Sequence, residues 1–307
     1  MESKIKLSVF VVTYNQEKYI RQCLDSILMQ QVDFDYEVVI GEDHGRDNTR
    51  AICEEYAEKY PQVKLLPLTE NLGIARNWQR VLSACKGEYI ALCEGDDYWI
   101  DDLKLQKQVN LMERDTSIGY VFTKHVRLKA NGERIDMSER FSCLPPKMSL
   151  HELIACRMIP PPTQTVCFRT SLLPQPVPDF VYKAELQQDM ALLFLIASRC
   201  NIGFINEASA VFRIGGATSS HNPLYGVNTR QKLMQNLNAY THFEYDDYLN
   251  NKNDDWVYLT NYYLNHKQRG KATYYFIKKI IYSLLHYPKT NLKHTGIFIK
   301  HYIKHIF

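Results

Sequence analysis

Three acidic residues fall within four positions at the end of an apolar run, in the stretch Ile-Ala-Leu-Cys-Glu-Gly-Asp-Asp at residues 90–97. Two like charges about 4 Å apart repel each other by roughly 4 kcal/mol at an effective dielectric constant of ~20. Solvent, a protein cation or a bound metal ion must offset that repulsion. Hard carboxylate oxygens suit Mg²⁺ or Mn²⁺, which bind carboxylates together with substrate phosphates. A metal ion here would also stabilise the charge of a departing diphosphate.

A second interpretation of the same stretch is structural. Positions 96, 97, 101 and 102 are all aspartates, and they precede a helical pattern that begins near Leu103. Acidic side chains favour the N-terminus of a helix. Helix capping explains Asp101 and Asp102 as well as a functional role does. It explains Asp96 less well, because Asp96 lies further from the helix and directly at the strand end.

The acidic stretch belongs to a regular alternation of strand-length and helix-length segments. Apolar, β-branched runs predict strands, and apolar residues spaced i, i+3, i+4 and i+7 predict the helices between them. The predicted strands are 5–12, 36–41, 63–68 and 87–93, and the predicted helices include 20–28, 71–85 and 103–115. This alternation indicates a mainly parallel sheet that helices cover on both faces.

Three polar loops follow strands of this predicted sheet. Thr13, Tyr14 and Asn15 follow the first strand, Glu42 and Asp43 follow the second, and the acidic stretch follows the fourth. Ligands bind such sheets at the carboxyl ends of the strands. The three loops are therefore predicted to converge on one crevice.

The pattern changes after residue 118. Residues 118–135 predict two strands joined at Asn131-Gly132, which is a strong hairpin signal. Residues 163–173 and 202–216 have the pattern of extended segments, and 185–198 that of a helix. We expect this half to close the crevice from the other side. The sequence contains neither the P-loop motif nor the dinucleotide-binding glycine motif.

Composition limits the class of protein. The chain has 307 residues, of which 45% are hydrophobic, so it can bury a full core, and its net charge of +3 is too weak to predict nucleic-acid binding. Its eight cysteines lack metal-binding spacing and predict free thiols in a reducing compartment. We find no signal peptide and no run of the ~18–20 apolar residues that a spanning helix needs. These features predict a soluble, cytoplasmic protein.

Four segments, in order and spacing, resemble the family 2 glycosyltransferases of the GT-A fold. They are SVFVVTYNQEKYIRQCLDSILMQ, EDHGRDNT, ENLGIARNW and GEYIALCEGDDYW. The resemblance is close over residues 5–115 and looser to about 220. It implies an α/β catalytic domain at 1–220, with a GT-A (Rossmann-like) mixed, mainly parallel sheet flanked by helices. A C-terminal helical extension at 221–307 would follow.

The same resemblance implies an activity. Members of this family transfer a sugar with inversion from a nucleoside diphosphate sugar, with Mn²⁺ or Mg²⁺ as cofactor. Bacterial members of this kind build capsule, lipopolysaccharide or related surface glycans. We expect a UDP-sugar donor, a hexosyl or N-acetylhexosaminyl group, and a glycan or lipid-linked acceptor. The alternatives are a sugar-nucleotide nucleotidyltransferase, whose usual Gly-rich opening loop is missing here, and a non-catalytic nucleotide-sugar-binding subunit.

Particular residues match the family's motifs. Asp96 takes the metal-binding place of the DxD motif, and Asp97 would face the donor sugar or support the site. Asp43 corresponds to the residue that hydrogen-bonds the base, although a turn-initiating aspartate bonded to its own backbone is the alternative. The residues expected to bind the nucleotide or donor are Thr13, Tyr14, Asn15, Glu17, Asp43, Asn71, Arg76, Glu94 and Arg213.

Inverting transfer needs a base that removes the proton of the acceptor hydroxyl. The family supplies it from an acidic residue at the start of a helix in the second half, often within Glu-Asp. Here Gln188-Asp189 replaces that pair, so Asp189 is the predicted base and Glu185 the second choice. A purely structural role for Asp189 in the first turn of the helix is the alternative.

One family residue is missing. A histidine near the diphosphate often follows the strand that ends here at Arg213, but the chain continues with Ile214 and two glycines. Arg213 would replace it, because a guanidinium group binds phosphate oxygens well. His221 is a second candidate.

The C-terminal segment is basic and aromatic. Residues 271–307 contain seven lysines, four histidines and no acidic residue. The segments YYFIKKIIYSLLHY and GIFIKHYIKHIF could each lay an apolar face on an anionic membrane. Packing on the catalytic domain or on the partner in a homodimer is an equal alternative.

Overall fold

The computed structural model describes residues 4–142, 144–156, 161–183, 188–214, 223–241 and 267–286. The chain divides into two compact units, Met1–Ser219 and Ser220–Phe307.

The first unit contains ten strands and seven α-helices within its described residues. The strands are β1 Leu7–Thr13, β2 Tyr36–Glu42, β3 Val63–Leu65, β4 Tyr89–Leu92, β5 Tyr98–Trp99, β6 Ile118–Leu128, β7 Arg134–Asp136, β8 Lys147–Met148, β9 Cys167–Arg169 and β10 Asn201–Arg213. The helices are α1 Ile20–Leu28, α2 Thr49–Lys59, α3 Ile74–Ala84, α4 Lys104–Arg114, α5 Leu150–Ala155, α6 Asp179–Tyr182 and α7 Gln188–Ala197.

The strands form one mixed sheet in the order β3-β2-β1-β4-β9-β6-β10-β5. The first four are parallel to one another, with Leu7 opposite both Tyr36 and Tyr89. Strand β9 then runs antiparallel between β4 and β6, and β10 is parallel to β6. The predicted α/β architecture, a largely parallel sheet flanked by helices, is confirmed.

Burial explains why these segments become strands and helices. All seven residues of β1 are buried, as expected for a parallel strand covered on both faces. On one face, the apolar stripe of α1 joins the core with Ile20, Cys23, Leu24 and Ile27. On the other, the ring of Phe10 lies 4.4 Å from that of Trp78 in α3. Each such fully buried large side chain contributes about 1.5–3 kcal/mol.

The second half of this unit differs in part from expectation. The hairpin is confirmed, because β6 pairs with β7 and Gly132 turns with φ of 83°. The extended segment predicted at 163–173 is shorter: only Cys167–Arg169 is a strand, between 3₁₀ turns at Thr163–Thr165 and Thr170–Leu172. The Thr165 hydroxyl and backbone N–H both donate to the Pro162 carbonyl, which closes the first turn before the strand begins.

The second unit contains α8 Pro223–Tyr240 and α9 Arg269–His286 within its described residues. Across the described parts of the chain, none of the helices has the length and apolar character that crossing a bilayer would require. The predicted membrane segment at 274–287 falls largely on α9, whereas GIFIKHYIKHIF lies outside the described residues.

Candidate functional site

The loops that follow β1, β2 and β4 lie against one another, as predicted. The backbone N–H of Asp43 donates to the Thr13 carbonyl at 3.1 Å, and that of Gly95 donates to the Val12 carbonyl at 3.0 Å. A Cβ atom added at Gly95 would lie only 2.7 Å from the Thr13 side chain. These contacts bring the three predicted loops together at the carboxyl edge of the parallel strands.

The first loop is fastened by its own predicted residues. The Thr13 hydroxyl donates to Gln16 Oε1 at 2.7 Å. Asn15, with φ of 52°, accepts the backbone N–H of Arg46 on its side-chain oxygen. Glu17 accepts both the backbone and the amide N–H of Asn48 at 3.0 Å. Asn15 and Glu17 therefore order the loop after β2.

Tyr14 follows Thr13 at the start of this loop and reaches solvent. Its side chain is 40% exposed, whereas Thr13 is buried. Its ring is therefore accessible at the edge where the three loops meet, and an aromatic ring offers a face on which a base can stack.

Asp43 acts across the loops rather than within its own turn. Its buried carboxylate accepts the backbone N–H of Leu72 at 2.9 Å and the amide of Asn71 at 3.2 Å. The structure thus brings Asp43 and Asn71 together. The turn itself is held by Glu42, which is fully buried and accepts the backbone N–H groups of His44 and Gly45. Sequence reasoning assigned Glu42 no such role.

Helix α3 carries a second arginine, besides the predicted Arg76, that contacts the end of β2. Arg76 is exposed. Arg80, one turn later, is half-buried and donates to the carbonyls of Glu42 and Pro67 and to the Asn77 side chain. Burial lowers the pKa of Arg80. The only signal for Arg80 in the sequence was its position four residues after Arg76, since residues i and i+4 share a helix face.

The acidic stretch is mostly buried. Asp96 and Asp97 are 7% and 2% exposed, and Glu94 is half-buried. Burial and then the charge of Asp96 raise the pKa of Asp97 well above its usual range, although Asp97 accepts the backbone N–H of Arg213 at 2.8 Å. Burial, followed by repulsion from Asp189, Asp96 and Asp97, raises the pKa of Glu94. The structure therefore places Asp189 within electrostatic reach of the acidic stretch.

Asp189 lies in the first turn of α7. Burial raises its pKa, against hydrogen bonds from backbone N–H groups of the helix start that lower it. Its negative charge also raises the pKa of Tyr120, after burial as the larger cause. In the described part of the chain, the buried Tyr120 hydroxyl and the Gln188 amide nitrogen have no hydrogen-bond partner. Polar groups of this kind are ordinarily satisfied by water or a ligand.

Arg213 ends β10 beside the acidic stretch. Its guanidinium lies 4.8 Å from the centre of the Tyr19 ring and 4.7 Å from that of Tyr98. It also donates to the side chain of Gln22. The predicted alternatives Glu185 and His221 lie outside the described residues.

Helix α4 has no side-chain N-cap hydrogen bond, so none of these aspartates caps it in the predicted way. Asp101 accepts the backbone N–H of Leu103 at 3.0 Å and pairs with Lys107. Asp102 bonds the side chain of Gln31. Asp96 lies near the end of β4, apart from the start of α4, so capping does not explain it.

Comparison with known proteins starts from the sequence. The profile described as Glycosyl transferase family 2 matches residues 8–169. An uncharacterized Mycobacterium tuberculosis protein is 49% identical over 109 residues, which are 35% of this chain and 32% of that protein. A Bacillus subtilis protein provisionally named teichuronic acid biosynthesis glycosyltransferase TuaG is 31% identical over 130 residues, 42% of this chain and 50% of that protein. The matches thus span about a third to a half of these relatives.

Solved structures share the fold. Residues 1–349 of S. aureus TarS, in complex with UDP-GlcNAc, have a TM-score of 0.61 at 21% identity, with 93% of each chain covered. The mannosyltransferase PcManGT from Pyrobaculum calidifontis, in complex with GDP-Man and Mn²⁺, has a TM-score of 0.53 at 16% identity, covering 99% of this chain and 83% of that one. The predicted GT-A fold is confirmed.

Proposed function

Because this chain belongs to glycosyl transferase family 2, we propose that it is a metal-dependent, inverting glycosyltransferase. It moves a hexosyl or N-acetylhexosaminyl group from a UDP-sugar to a glycan or lipid-linked acceptor of a surface polysaccharide. The observation that carries this proposal is the electrostatic coupling of Asp189 with the acidic stretch at the edge where three loops meet. The UDP-GlcNAc complex of the TarS neighbour and the name of TuaG support the donor and the pathway.

The donor set suits a divalent cation that arrives with its nucleotide. No group of three or more His, Cys, Asp or Glu side chains in the described ranges has a metal-binding arrangement. Mg²⁺ and Mn²⁺ in such enzymes commonly take only one or two protein carboxylates and complete their shell with phosphates and water. Asp96 would hold the ion, with Glu94 and Asp97 beside it. The ion would supply positive charge to the departing diphosphate.

The chain's own residues would bind the nucleotide and remove the proton from the acceptor. Thr13, Tyr14 and Asn15 would border the base and ribose, together with Asp43 and Asn71. Glu17 and Arg76 belong to the same proposed binding edge, Glu17 through the loop that it fastens. Arg213 would add a cation near the diphosphate. The Asp189 carboxylate would take the proton from the acceptor hydroxyl as that oxygen attacks the anomeric carbon.

The raised pKa of Asp189 suits this role. A general base works best when its pKa lies close to the operating pH, because a weakly basic carboxylate has little tendency to take the proton. Burial moves Asp189 in that direction. The buried Gln188 amide next to it has an N–H group without a partner in the described residues, and this group could donate to a sugar hydroxyl oxygen.

Helix α9 of the second unit carries a candidate surface for contact with a membrane. Helix α9 exposes Tyr274, Ile277 and Ile281 at a spacing of three and four residues, so they form one stripe. A stripe of this kind on a basic helix supports peripheral contact with an anionic membrane that carries a lipid-linked acceptor. Contact with a second copy of the chain in a homodimer is the competing role of the stripe.

A turnover assay tests the proposal. The purified chain is incubated with a panel of UDP-sugars and Mn²⁺, and UDP release is measured with and without EDTA. We expect release with at least one donor, its loss on chelation and its return with added Mn²⁺. Asp189→Asn should lower kcat by about 10²–10⁴-fold while keeping UDP affinity. Asp96→Ala should lose metal-dependent UDP binding.

A matched control guards against general effects of substitution. Asp179→Asn removes an exposed carboxylate that pairs with Lys183 in the following turn, and it should leave turnover unchanged. Full turnover by Asp96→Ala would refute the metal assignment, and full turnover by Asp189→Asn would refute the base. Binding of UDP-sugars without turnover of any would indicate the non-catalytic subunit instead.

A further inference from the structure

Lys104, the first residue of α4, is a completely buried lysine. Its side chain is 0% exposed, whereas Lys107 on the same helix reaches solvent and pairs with Asp101 and Glu207. An ammonium group removed from water is strongly destabilised unless protein groups replace its hydration. The surroundings of Lys104 therefore need an explanation, and the proposed catalytic roles do not supply one.

Two side chains take the place of water. The Lys104 ammonium donates to Gln108 Oε1 at 2.7 Å. It also lies 4.3 Å from the centre of the Trp99 ring. A cation is attracted to the face of an aromatic ring, most strongly to tryptophan and most strongly when both are shielded from water.

These two partners are tied to the rest of the sheet. Gln108 donates to the Thr165 carbonyl at 2.8 Å and to the Val121 carbonyl at 3.3 Å. The Trp99 indole donates to the Gln164 carbonyl at 2.9 Å. Lys104 is thus the junction between α4, β6 and the turn that precedes β9.

Trp99 connects this junction to the proposed donor site. It lies two residues after Asp97 and pairs with Ala210 in β10. Three residues further along β10, the backbone N–H of Arg213 donates to the Asp97 carboxylate. A force that holds Trp99 in place therefore also holds the end of the acidic stretch.

We propose that the Lys104 ammonium is a positioning residue: seated on Trp99, it holds Asp96 and Asp97 in the geometry that binds the metal and the donor. This inference rests on the proposed function. Lys104 touches no substrate; it acts through Trp99.

A pH dependence follows from the burial. Desolvation lowers the pKa of Lys104 to about 8, against smaller effects of Cys167 in β9, Cys93 after β4 and Asp101 before α4, all of which raise it. The neutral amine no longer attracts the Trp99 ring. Donor affinity should therefore fall as the pH rises through about 8.

Folding stability should change in the opposite direction. The unfolded lysine keeps its proton up to the ordinary value of 10.5, so between about 8 and 10.5 the unfolded state binds more protons. The Lys104 contribution to the free energy of unfolding then rises with pH.

Calorimetric titration of the full chain with UDP and Mg²⁺ tests the inference at about pH 7 and about pH 9, on either side of that pKa. We expect wild-type affinity to drop about tenfold at the higher pH. Lys104→Arg, which keeps the charge, should show a flat profile. Lys104→Met should bind weakly at both pH values, and Lys129→Met, which removes an exposed hairpin ion pair, should match wild type.

Amide hydrogen exchange of residues 96–99 in the ligand-free chain provides the second readout. Faster exchange there in Lys104→Met, with no change in Lys129→Met, supports the inference. An equal pH dependence in wild type and Lys104→Arg, or unchanged exchange in Lys104→Met, would overturn it. Should the wild type bind no UDP at any pH, the proposed function fails, and the exchange data alone decide the role of Lys104. The wild-type and Lys104→Arg comparison stands even if Lys104→Met does not fold.

Discussion

Gly95 marks the closest approach between the acidic stretch and the loop after β1. A Cβ atom at this position would lie 2.5 Å from Gln16 Oε1 and 2.7 Å from both Cβ and Oγ1 of Thr13. Neither neighbour can retreat freely. Gln16 is 8% exposed and its backbone N–H donates to Thr49, while Thr13 donates to Gln16. The backbone of Gly95 is itself fixed by its bond to the Val12 carbonyl.

Gly95→Ala should therefore push the acidic stretch away from the first loop. Overpacking of this kind costs about 1–3 kcal/mol. In a chain of 307 residues, that loss corresponds to a melting temperature lower by roughly 2–5 °C. If the distortion falls on the donor site, the same free energy lowers the affinity for UDP and Mg²⁺ by about 5- to 150-fold.

Thermal melting and calorimetric titration measure the two effects. Gly270→Ala is the matched control, because a Cβ atom there meets nothing within 4 Å and alanine favours a helix. It should keep wild-type affinity and melt no earlier. A Gly95→Ala protein that melts and binds UDP like the wild type would refute the claim that these two loops form one rigid edge.

Three further outcomes are expected. Asp97→Asn should melt about 2–4 °C higher than the wild type at neutral pH while losing turnover. The reason is the raised pKa of Asp97: its charge destabilises the fold as the pH rises from 3.8 through the folded-state pKa. A lower melting temperature would contradict this. The kcat/KM of the wild type should fall as the pH drops through the raised pKa of Asp189, since only the carboxylate accepts a proton, and a flat acid limb in a pH–rate profile would argue against the base. Ile277→Asp should weaken sedimentation with anionic vesicles, whereas Ile100→Asp, at an exposed position in the first unit, should not. Unchanged sedimentation of Ile277→Asp would indicate that the stripe on α9 contacts a partner chain instead.

The strand ends were predictable because they depend on local patterns. A β-branched apolar run that stops at polar residues fixes where β1, β2 and β4 end, and parallel pairing then brings those ends to one edge. The position of Asp189 at the start of an apolar helix was readable for the same reason. Neither inference needed knowledge of which side chain contacts which.

The residues that sequence reasoning missed are defined by tertiary contacts. Arg76 and Arg80 lie about one turn apart on one helix, about 6 Å along its axis. Only the placement of α3 against β2 decides that Arg80 reaches the carbonyl of Glu42. Lys104 likewise stands in a polar helix start, and only the packing of α4 against Trp99 makes it buried. Periodicity gives the face of a helix but not its depth in the fold.

The repulsion among the carboxylates is offset by the protein only in part. The backbone N–H of Arg213 bonds Asp97 and the charge of Arg213 also lowers the Asp97 pKa, while its guanidinium lies against the rings of Tyr19 and Tyr98. The raised pKa values of Glu94 and Asp97 show that burial and mutual repulsion still outweigh that bond. Lys104, a buried cation at the start of α4, lies against the Trp99 ring instead. The unfavourable charges of Glu94 and Asp97 are what the external cation proposed at Asp96 would offset.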